Sequence, residues 1–428
     1  MLKSDPNDPI VVTGMGVVSP LGVSTEVNWS RLLAGRSGVV HNDRFDTEAY
    51  GARVAGLVPG KDSDAEGFDP LVAIDAKDIK KMDLFIQYGL VAAAEAIAQS
   101  GWEPQTEDEQ NATATIIGSG VGGSPVMAKS AVLVAEKGPR RMSPFTVPSF
   151  LANLAAGWIS IRYGFKGPIG APVTACAASA QAIGDGMRLL LTGEAEIAIV
   201  GGAEGSVDPL SIGGFGAARA LSTDFNDAPE KASRPFDGKR DGFVLSEGAA
   251  VLVIEKLSHA RARGATPLAI LSGYGTSADA YHLTAGSPDG AGAQVAMRKA
   301  IDMSGLTSQD IDFVSAHSTS TPVGDAAEVA AIEAVFGGRG KTLALSALKS
   351  STGHLLGAAG ALAAVMAIKS IQNGIVPGTL NLDEPDASAA QFDLVANTAK
   401  AKALKHVLVN AFGFGGVNAS LVLSAVER

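Results

Sequence analysis

Short apolar runs that end in glycine recur along the first half of the chain. Three of them are rich in β-branched residues and cover residues 10–14, 114–118 and 197–202. Their length and composition predict buried strands, and each terminal glycine indicates a tight turn. Helical patterns at 84–99 and 177–192 lie between these runs. Strands that alternate with helices in this way predict a layered α/β fold.

The second half of the chain repeats this alternation. The helices that begin near Cys176 and His354 are both rich in alanine and glycine, which allows helix backbones to approach closely. These parallels predict an internal two-fold duplication, and the polar segment 222–241 is predicted to be a long surface loop. The further predicted elements are strands at 248–254, 311–315, 342–344 and 407–410, and helices at 290–304, 325–336 and 353–373.

Composition and charge narrow the class of protein. Of the 428 residues, 46% are hydrophobic and 18% are charged, which is typical of globular proteins and not of disordered chains. The length suggests two domains or one large two-part unit. Lys and Arg number 34 against 44 Asp and Glu, so the net charge is −10. This charge argues against a dedicated nucleic-acid-binding protein.

Neither a targeting segment nor a membrane span is predicted. Residues 1–9 lack the basic-then-apolar order of a signal peptide. The charge-free stretch 143–161 contains prolines and several polar residues, which makes it poor material for a transmembrane helix. We therefore expect a soluble, cytoplasmic protein.

Cys176 is the only cysteine, so the chain forms no internal disulfide, and a structural zinc site of several thiolates is not expected. It lies where a strand-like segment gives way to a helix of small residues. A helix N-terminus favours a thiolate, and its free N–H groups can hold a developing oxyanion. The alternative is an inert, packed cysteine.

The run 118–123 follows a predicted strand and has the glycine spacing of a dinucleotide-binding turn. Such a unit has an acidic residue about 20 positions further on, and this chain has Gly-Pro-Arg-Arg there. We therefore interpret these glycines as positions of positive φ or close packing.

Two of the six histidines lie at positions that suggest chemistry. His317 follows the predicted strand 311–315, and active groups in α/β sheets are usually found at such strand ends. Lys349 and His354 lie in an equivalent loop ahead of an alanine-rich helix, whose N-terminus is expected to lower the pKa of the imidazole. Each histidine could also be a buried structural residue.

Near the C-terminus, segment 410–418 reads Asn-Ala-Phe-Gly-Phe-Gly-Gly-Val-Asn. One interpretation is a bulged turn with two buried rings. The other is a flexible loop whose backbone N–H completes an oxyanion hole and whose ring closes a pocket.

Taken with the motifs at 11–14, 138–141, 233–237 and 240–244, these residues resemble the condensing enzymes of fatty-acid synthesis, most closely the β-ketoacyl-[acyl-carrier-protein] synthase II subfamily. The resemblance covers essentially the whole chain. It implies a thiolase-like α/β fold, with two similar βαβ-rich halves in five layers, α-β-α-β-α, and a homodimer. The expected halves are residues 1–258, with the cysteine, and 259–428, with both histidines and the Phe-Gly loop.

The resemblance also implies roles for individual residues. Cys176 matches the nucleophile, His317 and His354 the paired histidines, and Lys349 the lysine that supports them. Phe414 matches the gating residue whose backbone N–H joins that of Cys176 in the oxyanion hole. The residues that match substrate-binding positions are Thr319, Thr321, Val121, Phe215 and Phe412.

The implied reaction joins an acyl group on Cys176 to a malonyl group with loss of CO2, giving a 3-oxoacyl product on acyl carrier protein. No metal or separate cofactor is expected, because the substrates are carried on the phosphopantetheine arm of that protein. Acyl carrier proteins are acidic, so a basic patch is needed for docking. The candidates are Lys77, Lys80, Lys81, Arg140, Arg141 and Arg219.

The chain departs from the family pattern at three positions. Ser318 follows the first histidine and Ser246 lies in the loop after 244–245, where glycine is usual at both places. Ala363 replaces a glutamate that the family often has nine residues after the second histidine. The loss of that charge is expected to alter the ionisation of Lys349 and His354.

Alternatives remain open at this point. A polyketide or specialised-lipid ketosynthase would share these residues. A non-catalytic chain-length subunit would lack the nucleophile, a coenzyme A thiolase would have a second catalytic cysteine, and a simple acyl-binding module would not need both histidines.

Overall fold

The computed structural model describes residues 5–426. Residues 1–4 belong to the segment predicted to lack a targeting signal, and they lie outside the described part. Sixteen strands are present in this range, and their bounds are β1 Ile10–Ser19, β2 Gly22–Val23, β3 Val39–His41, β4 Val54–Gly56, β5 Thr113–Gly118, β6 Ile169–Gly170, β7 Ile197–Glu204, β8 Gly248–Lys256, β9 Ala269–Ala278, β10 Phe313–Ser315, β11 Ala344–Ser346, β12 Ile375–Val376, β13 Asp393–Leu394, β14 Lys400–Ala401, β15 His406–Gly413 and β16 Val417–Ser424.

Helices alternate with these strands, and short 3₁₀ turns precede several of them. The α-helices in the described range are α1 Thr25–Leu33, α2 Ala76–Ile79, α3 Leu84–Ser100, α4 Glu107–Asn111, α5 Ser124–Lys137, α6 Thr146–Phe150, α7 Leu154–Tyr163, α8 Ala178–Thr192, α9 Pro209–Ala217, α10 Leu257–Ala262, α11 Ala291–Ser304, α12 Pro322–Phe336, α13 Lys349–Thr352 and α14 Ala359–Asn373.

Two groups of strands are joined into one mixed sheet. Its order is β13-β11-β10-β15-β16-β9-β1-β8-β7-β5-β6, with β2 added to β1. The join between β9 and β1 is narrow, because only Val11 and Val12 pair with Ile270 and Ala269. The strands on one side of this join come from the first part of the chain, and those on the other side come from the second part. The two-fold pattern expected from the sequence is therefore visible in the sheet, while the exact division after residue 258 stays a prediction.

The helices pack as three layers around these two groups of strands. Helix α3 covers β1, β7 and β8 on one outer face, and α11 covers β9 and β16 on the other. Helices α8 and α14 lie between the two groups, in contact with each other and with strands of both. This arrangement confirms the predicted α-β-α-β-α order.

Glycines permit the closest contacts in these layers. A Cβ atom added to Gly14 or Gly16 of β1 would lie 2.0 Å from the carbonyl oxygen of Ala96 or Ala92 in α3. A Cβ added to Gly118, in the predicted 118–123 run, would lie 2.6 Å from the Ala178 oxygen. The interpretation of that run as close packing is therefore confirmed at its first position.

Most predicted elements are present with shifted ends, and two predictions were wrong. Predicted strand 342–344 is a 3₁₀ turn, Gly340–Thr342, followed by β11, because the Thr342 hydroxyl bonds back to the Arg339 carbonyl at 2.8 Å. Segment 222–241 is not simply a surface loop. Arg234, Phe236 and Asp237 are at most 4% exposed within it, and the Arg234 Nε donates to Asp237 at 2.9 Å.

None of the helices among residues 5–426 has both the length and the apolar character needed to cross a membrane.

A buried ionic cluster ties the start of β1 to the end of β8. The Glu255 carboxylate accepts hydrogen bonds from Thr13 Oγ1 at 2.6 Å and from Arg263 Nε at 2.9 Å, and it contacts His259. Burial alone would raise the pKa of Glu255. The hydrogen bonds from Arg263, His259 and Thr13 outweigh it and hold that pKa at about 2.

We predict that Glu255→Gln lowers the free energy of unfolding by about 2–3 kcal/mol at pH 7, because the charge of Arg263 then loses its partner. The lowered pKa means that this contribution is complete above pH ~4.5 and is lost as the pH falls towards about 2. Urea unfolding at pH 7, 4 and 3 measures the difference. Glu196→Gln, at an exposed neighbour of His259, is the control and is expected to change stability by less than ~0.5 kcal/mol. An equal effect of both variants would contradict the prediction.

Candidate active site

One cavity of about 620 Å³ collects most of the residues that the sequence singled out. Cys176, His317 and His354 all line it. Four aromatic rings also line it, those of Phe215, Phe243, Phe412 and Phe414, and so do the predicted substrate-binding residues Val121, Thr319 and Thr321. The sequence halves therefore meet at this cavity, with the cysteine from the first and the histidines from the second.

Cys176 occupies a 3₁₀ turn, Ala175–Ala177, immediately before α8. Ala175 has a φ of 48°, a left-handed conformation that is strained for a residue with a side chain. This turn leaves the thiol 8% exposed at the cavity wall. The Cys176 Sγ lies 2.9 Å from His354 Nε2. The predicted position of the cysteine at a helix N-terminus is confirmed.

The expected effect of backbone N–H groups on the thiol has the predicted direction, but burial outweighs it. Burial raises the pKa of the Cys176 thiol to about 12, and the carboxylate of Glu204 adds to the increase. The charge of Lys349 and the backbone N–H groups of Phe414 and Cys176 lower the pKa, but they do not compensate for burial. The resting thiol is therefore neutral, and its proton must leave as the sulfur reacts.

The turn between β15 and β16 brings the Phe414 N–H to the cysteine. A Cβ atom on Gly413 would lie 2.8 Å from the Thr174 oxygen and 3.2 Å from the Cys176 nitrogen, so only glycine permits this approach. Gly415 and Gly416 follow with φ of 83° and 76°. The backbone N–H groups of Phe414 and Cys176 both lower the pKa of the thiol. Their expected role as an oxyanion hole stays a prediction.

The Phe414 ring forms the outer edge of this arrangement. It is 37% exposed, and its centroid lies 6.3 Å from that of Phe215. Phe215 in turn packs edge-on against Phe243 at 5.3 Å, and Phe243 packs against His354 at 5.4 Å. The bulged-turn interpretation with two buried rings is therefore wrong for Phe414, because its ring faces both the cavity and solvent.

The two histidines face each other across the cavity. Their ring centroids are 5.5 Å apart and their planes are nearly perpendicular, at 85°. His317 follows β10 and also lies 5.7 Å from the Phe412 ring. His354 follows α13, where a backbone bond to Val244 at 2.8 Å fixes its place.

Both imidazoles are neutral at pH 7. Burial is the main cause that lowers their pKa values well below the usual 6.5, and the charge of Lys349 lowers them further. The low pKa predicted for His354 is confirmed, but the main cause is burial and not the helix N-terminus. A neutral ring can donate one hydrogen bond without adding a net charge to the cavity.

Lys349 does not lie in a loop, as predicted, but begins α13 and is 2% exposed. Burial lowers the pKa of its ammonium to about 8. Glu328, Cys176 and Asp325 act in the opposite direction and keep the charged form accessible near neutral pH. Lys349 is therefore a buried cation within range of the thiol and both histidines.

The sequence reasoning did not identify Glu328, which is 3% exposed on α12. Its carboxylate accepts from the backbone N–H of His317 at 2.8 Å and from Asn410 Nδ2 at 2.9 Å. The signal was present, because Asp325 and Glu328 are spaced three apart on the face of α12 that also buries Val329. Two carboxylates on a buried helix face indicate partners inside the protein.

Glu204 was also missed. It ends β7, is fully buried, and accepts from the backbone N–H groups of Gly120 at 2.7 Å and Gly357 at 3.0 Å. The hydroxyls of Ser119 and Ser206 donate to the same carboxylate. Glu204 thus joins the loop before α5 to the turn after His354. An acidic residue directly after a buried apolar strand was the available signal.

The structure shows what surrounds each of the three residues that depart from the family pattern. Ala363 is 2% exposed in the apolar core, on α14. The Ser318 hydroxyl donates to Glu328 at 2.7 Å, and the Ser246 hydroxyl donates to the Thr352 carbonyl at 2.7 Å. Each serine therefore adds a side-chain bond that glycine could not make.

The predicted docking residues do not all lie at the cavity. Arg219 lines it, whereas Lys77, Lys80, Lys81, Arg140 and Arg141 lie outside its lining. Among residues 5–426, no group of three or more His, Cys, Asp or Glu side chains is arranged to hold a metal ion. The expectation of a reaction without a cofactor stays a prediction.

Comparisons with known proteins agree with this geometry. The family model "Beta-ketoacyl synthase, N-terminal domain" matches residues 7–260, and "Beta-ketoacyl synthase, C-terminal domain" matches residues 268–383. The 3-oxoacyl-[acyl-carrier-protein] synthase 2 of Rhizobium meliloti is 45% identical over 97% of this chain and 98% of its own length.

Solved structures show the same fold. The ishigamide ketosynthase/chain length factor has a TM-score of 0.89 and 34% identity, over 98% of this chain and 100% of that one. A ketosynthase solved in complex with a type II polyketide acyl-carrier protein has a TM-score of 0.88 and 29% identity, over 98% and 100% of the two chains. The fold is therefore the thiolase-like fold of ketosynthases, and the chain belongs to the beta-ketoacyl synthase family.

Proposed function

We propose that this chain is a 3-oxoacyl-[acyl-carrier-protein] synthase of fatty-acid elongation in which Cys176 carries the growing acyl chain. The observation that carries the proposal is the arrangement around one sulfur atom. His354 Nε2 lies 2.9 Å from it, and the N–H groups of Phe414 and Cys176 act on it. A thiol, a proton acceptor and an oxyanion hole in one cavity are what acyl transfer needs.

In the first half-reaction, the Cys176 sulfur attacks the thioester of an acyl carrier protein. The new C–S bond forms, the pantetheine C–S bond breaks, and the proton lost by Cys176 goes to the departing pantetheine thiol. His354 Nε2 is within reach to accept this proton and pass it on. Because one thioester replaces another, charge does not accumulate in a cavity where burial disfavours it.

In the second half-reaction, malonyl carrier protein enters and loses CO2. The electron pair of the broken C–C bond forms an enolate, and His317 and His354 donate hydrogen bonds to its oxygen. Because Nε2 accepts a proton in the first half-reaction and donates a hydrogen bond in the second, the proton of the neutral His354 ring must move from Nδ1 to Nε2 between the two half-reactions. The enolate carbon attacks the acyl carbonyl on Cys176, whose oxygen lies in the oxyanion hole. The C–S bond to Cys176 breaks, and the departing thiolate takes up one proton from solvent to restore the thiol. The product is a 3-oxoacyl carrier protein.

Lys349 supports this chemistry without bonding to substrate. Its charge keeps both imidazoles neutral and opposes the burial penalty on the thiolate. The family relationship and the R. meliloti relative favour fatty-acid elongation. A polyketide ketosynthase is the second candidate, which the ishigamide and polyketide neighbours support at lower identity. The thiol of Cys176 argues against a non-catalytic chain-length subunit.

The substrate is proposed to enter past Phe414 and Arg219. Thr319 and Thr321, whose hydroxyl oxygens are 3.2 Å apart, would bind the pantetheine arm. Val121, Phe215 and Phe412 would contact the acyl chain, since they line the same cavity as the thiol.

Docking of the carrier protein is proposed on one continuous basic surface. Lys81 Nζ lies 5.1 Å from the Phe145 ring, which places the 77–81 segment beside the segment that follows Arg140 and Arg141. Lys77 and Lys81 are paired with Asp75 and Asp78. Among residues 5–426, Lys80, Arg140 and Arg141 have no such acidic partner within 4.0 Å and therefore give the patch its net charge.

A homodimer is proposed through the open edge of the sheet. Strand β6 lies at one end of the sheet order and pairs only with β5. Three large apolar side chains around it are exposed: Ile161 at 73%, Ile169 at 53% and Val173 at 54%. An apolar sheet edge of this kind is normally covered by a partner.

We also propose that the protein works in the cytoplasm.

Substitution of the two histidines is expected to affect the two half-reactions differently. His354→Asn should slow acylation of Cys176 by about 100-fold or more, because the group that accepts the thiol proton is lost. His317→Asn should leave acylation within about 3-fold of wild type and lower condensation about 100-fold, because only the enolate loses a donor. Mass spectrometry of acyl transfer and a separate condensation assay measure the two steps. Equal loss of acylation in both variants would contradict these roles.

The condensation rate is expected to fall on the basic side as Lys349 loses its proton. The pKa of Lys349 is lowered to about 8, so its charge is present below that pH and is lost above it. We predict that kcat/KM falls through pH ~8 in the wild type. Lys349→Met should have lower activity and lack this basic limb. If the fall of kcat/KM through pH ~8 persisted in Lys349→Met, a group other than Lys349 would be responsible for it.

Reversal of charge at the docking surface should affect only carrier-bound substrate. The double variant Arg140→Glu, Arg141→Glu is expected to raise KM for acyl carrier protein about 10-fold and to leave KM for a free acyl-pantetheine unchanged. Arg261→Glu, at an exposed position on α10, is the control. A KM increase for both substrates would indicate damage to the cavity and not loss of docking.

Ile161→Lys is expected to convert the proposed dimer to a monomer, because the lysine charge would have to be buried between two copies. Sedimentation at micromolar concentration measures the change. Val40→Lys, at a 44% exposed position elsewhere, should leave the oligomeric state unchanged. A monomeric wild type would rule out the dimer.

A further inference from the structure

The Glu328 carboxylate receives two hydrogen bonds from a single residue, Ser318. The Ser318 backbone N–H and its side-chain hydroxyl both donate to Oε2, each at 2.7 Å. The other oxygen, Oε1, accepts from the His317 N–H at 2.8 Å and from Asn410 Nδ2 at 2.9 Å. Four donors around one buried carboxylate fix its orientation.

Ser318 is 1% exposed and is not part of the cavity lining. Its hydroxyl therefore cannot contact a substrate in the cavity as the structure stands. The hydroxyl is directed at Glu328 alone, and the backbone groups that hold the loop after His317 would remain without it. Removing the hydroxyl therefore tests its bond to Glu328 without removing the backbone bonds that hold the loop.

The position of Glu328 affects the charge of Lys349. Several charged or titratable groups face Lys349: Glu328 and Asp325 from α12, Cys176 from its 3₁₀ turn, and His317 and His354 from their loops. Glu328 is the group that does most to raise the pKa of Lys349 against burial. Residue 363 adds no charge here, because it is an alanine in the apolar core.

We propose that the Ser318 hydroxyl is a positioning group of the condensation reaction, which fixes the Glu328 carboxylate against the loop of His317. The proposal rests on the proposed function, since it assigns a supporting role in that same site. Ser318 acts on the reaction indirectly, because it holds Glu328 and Glu328 in turn acts on Lys349.

The test is the pH profile of kcat/KM for condensation in Ser318→Ala and Ser318→Gly. Each variant loses the hydroxyl but keeps both backbone donors to Glu328. A less firmly held carboxylate supports the Lys349 charge less well, so the basic limb should move to lower pH by roughly half a unit in both variants. Agreement between alanine and glycine would assign the shift to the hydroxyl and not to packing.

Ser370→Ala is the matched control. Ser370 is equally buried, and its hydroxyl donates to the Met366 carbonyl near the far end of α14, away from Glu328. Its profile should coincide with that of the wild type. If the folded Ser318 variants, checked by their unfolding temperature, kept the wild-type limb, the inference would be overturned. Absence of condensation by the wild type at every pH would instead refute the proposed function.

Discussion

Burial of charge is the constraint on which the active site depends. Cys176, His354, Lys349 and Glu328 are all at most 8% exposed, and the half-buried His317 lies beside them. With burial as the largest cause in each case, the pKa of the thiol is raised to about 12 and that of Lys349 is lowered to about 8. The reaction that suits such a site moves an acyl group between sulfur atoms and never requires a free thiolate to persist. Neutral imidazoles then stabilise the enolate oxygen, because their donated hydrogen bonds are stronger where water does not compete.

The fold supplies this site by joining two similar halves. The strand-to-helix turn of one half carries Cys176, and the corresponding loops of the other carry His317 and His354. Close helix packing through small residues between the sheets allows the turns to meet, as at Gly360 of α14, whose added Cβ would lie 2.9 Å from that of Ala180 in α8. The glycines of the β15–β16 turn then bring the Phe414 N–H to the same sulfur. The alanine- and glycine-rich composition of α8 and α14 thus serves both the packing of the core and the approach of the turns that carry Cys176 and His354.

Much of this could be predicted from the sequence, and the remainder has a physical explanation. The strands and helices follow from local patterns. Cys176, His317 and His354 stand out because each lies at the end of a strand or the start of a helix, while their assigned roles rest on the family resemblance. The direction of the Cys176 pKa shift could not be predicted, because it depends on burial. The sequence signals at Glu328 and Glu204 indicate burial but not their partners, which lie more than 80 positions away in the chain, as in the bonds from Asn410 to Glu328 and from Gly120 to Glu204. Segment 222–241 was misjudged for the same reason. Its polar residues are satisfied inside the protein by other elements, such as the Ser320 hydroxyl that accepts from the Arg234 N–H at 3.0 Å.

The most direct measurement is mass spectrometry of the intact protein after mixing with an acyl carrier protein that bears a medium-length chain, followed by malonyl carrier protein. Cys176 is the only cysteine, so a thioester adduct can form at one thiol alone. The account predicts a single acyl adduct that is absent in Cys176→Ala and that disappears on addition of malonyl carrier protein as a 3-oxoacyl product forms. A folded wild-type protein that takes up no acyl group, or one whose adduct persists in Cys176→Ala, would contradict it.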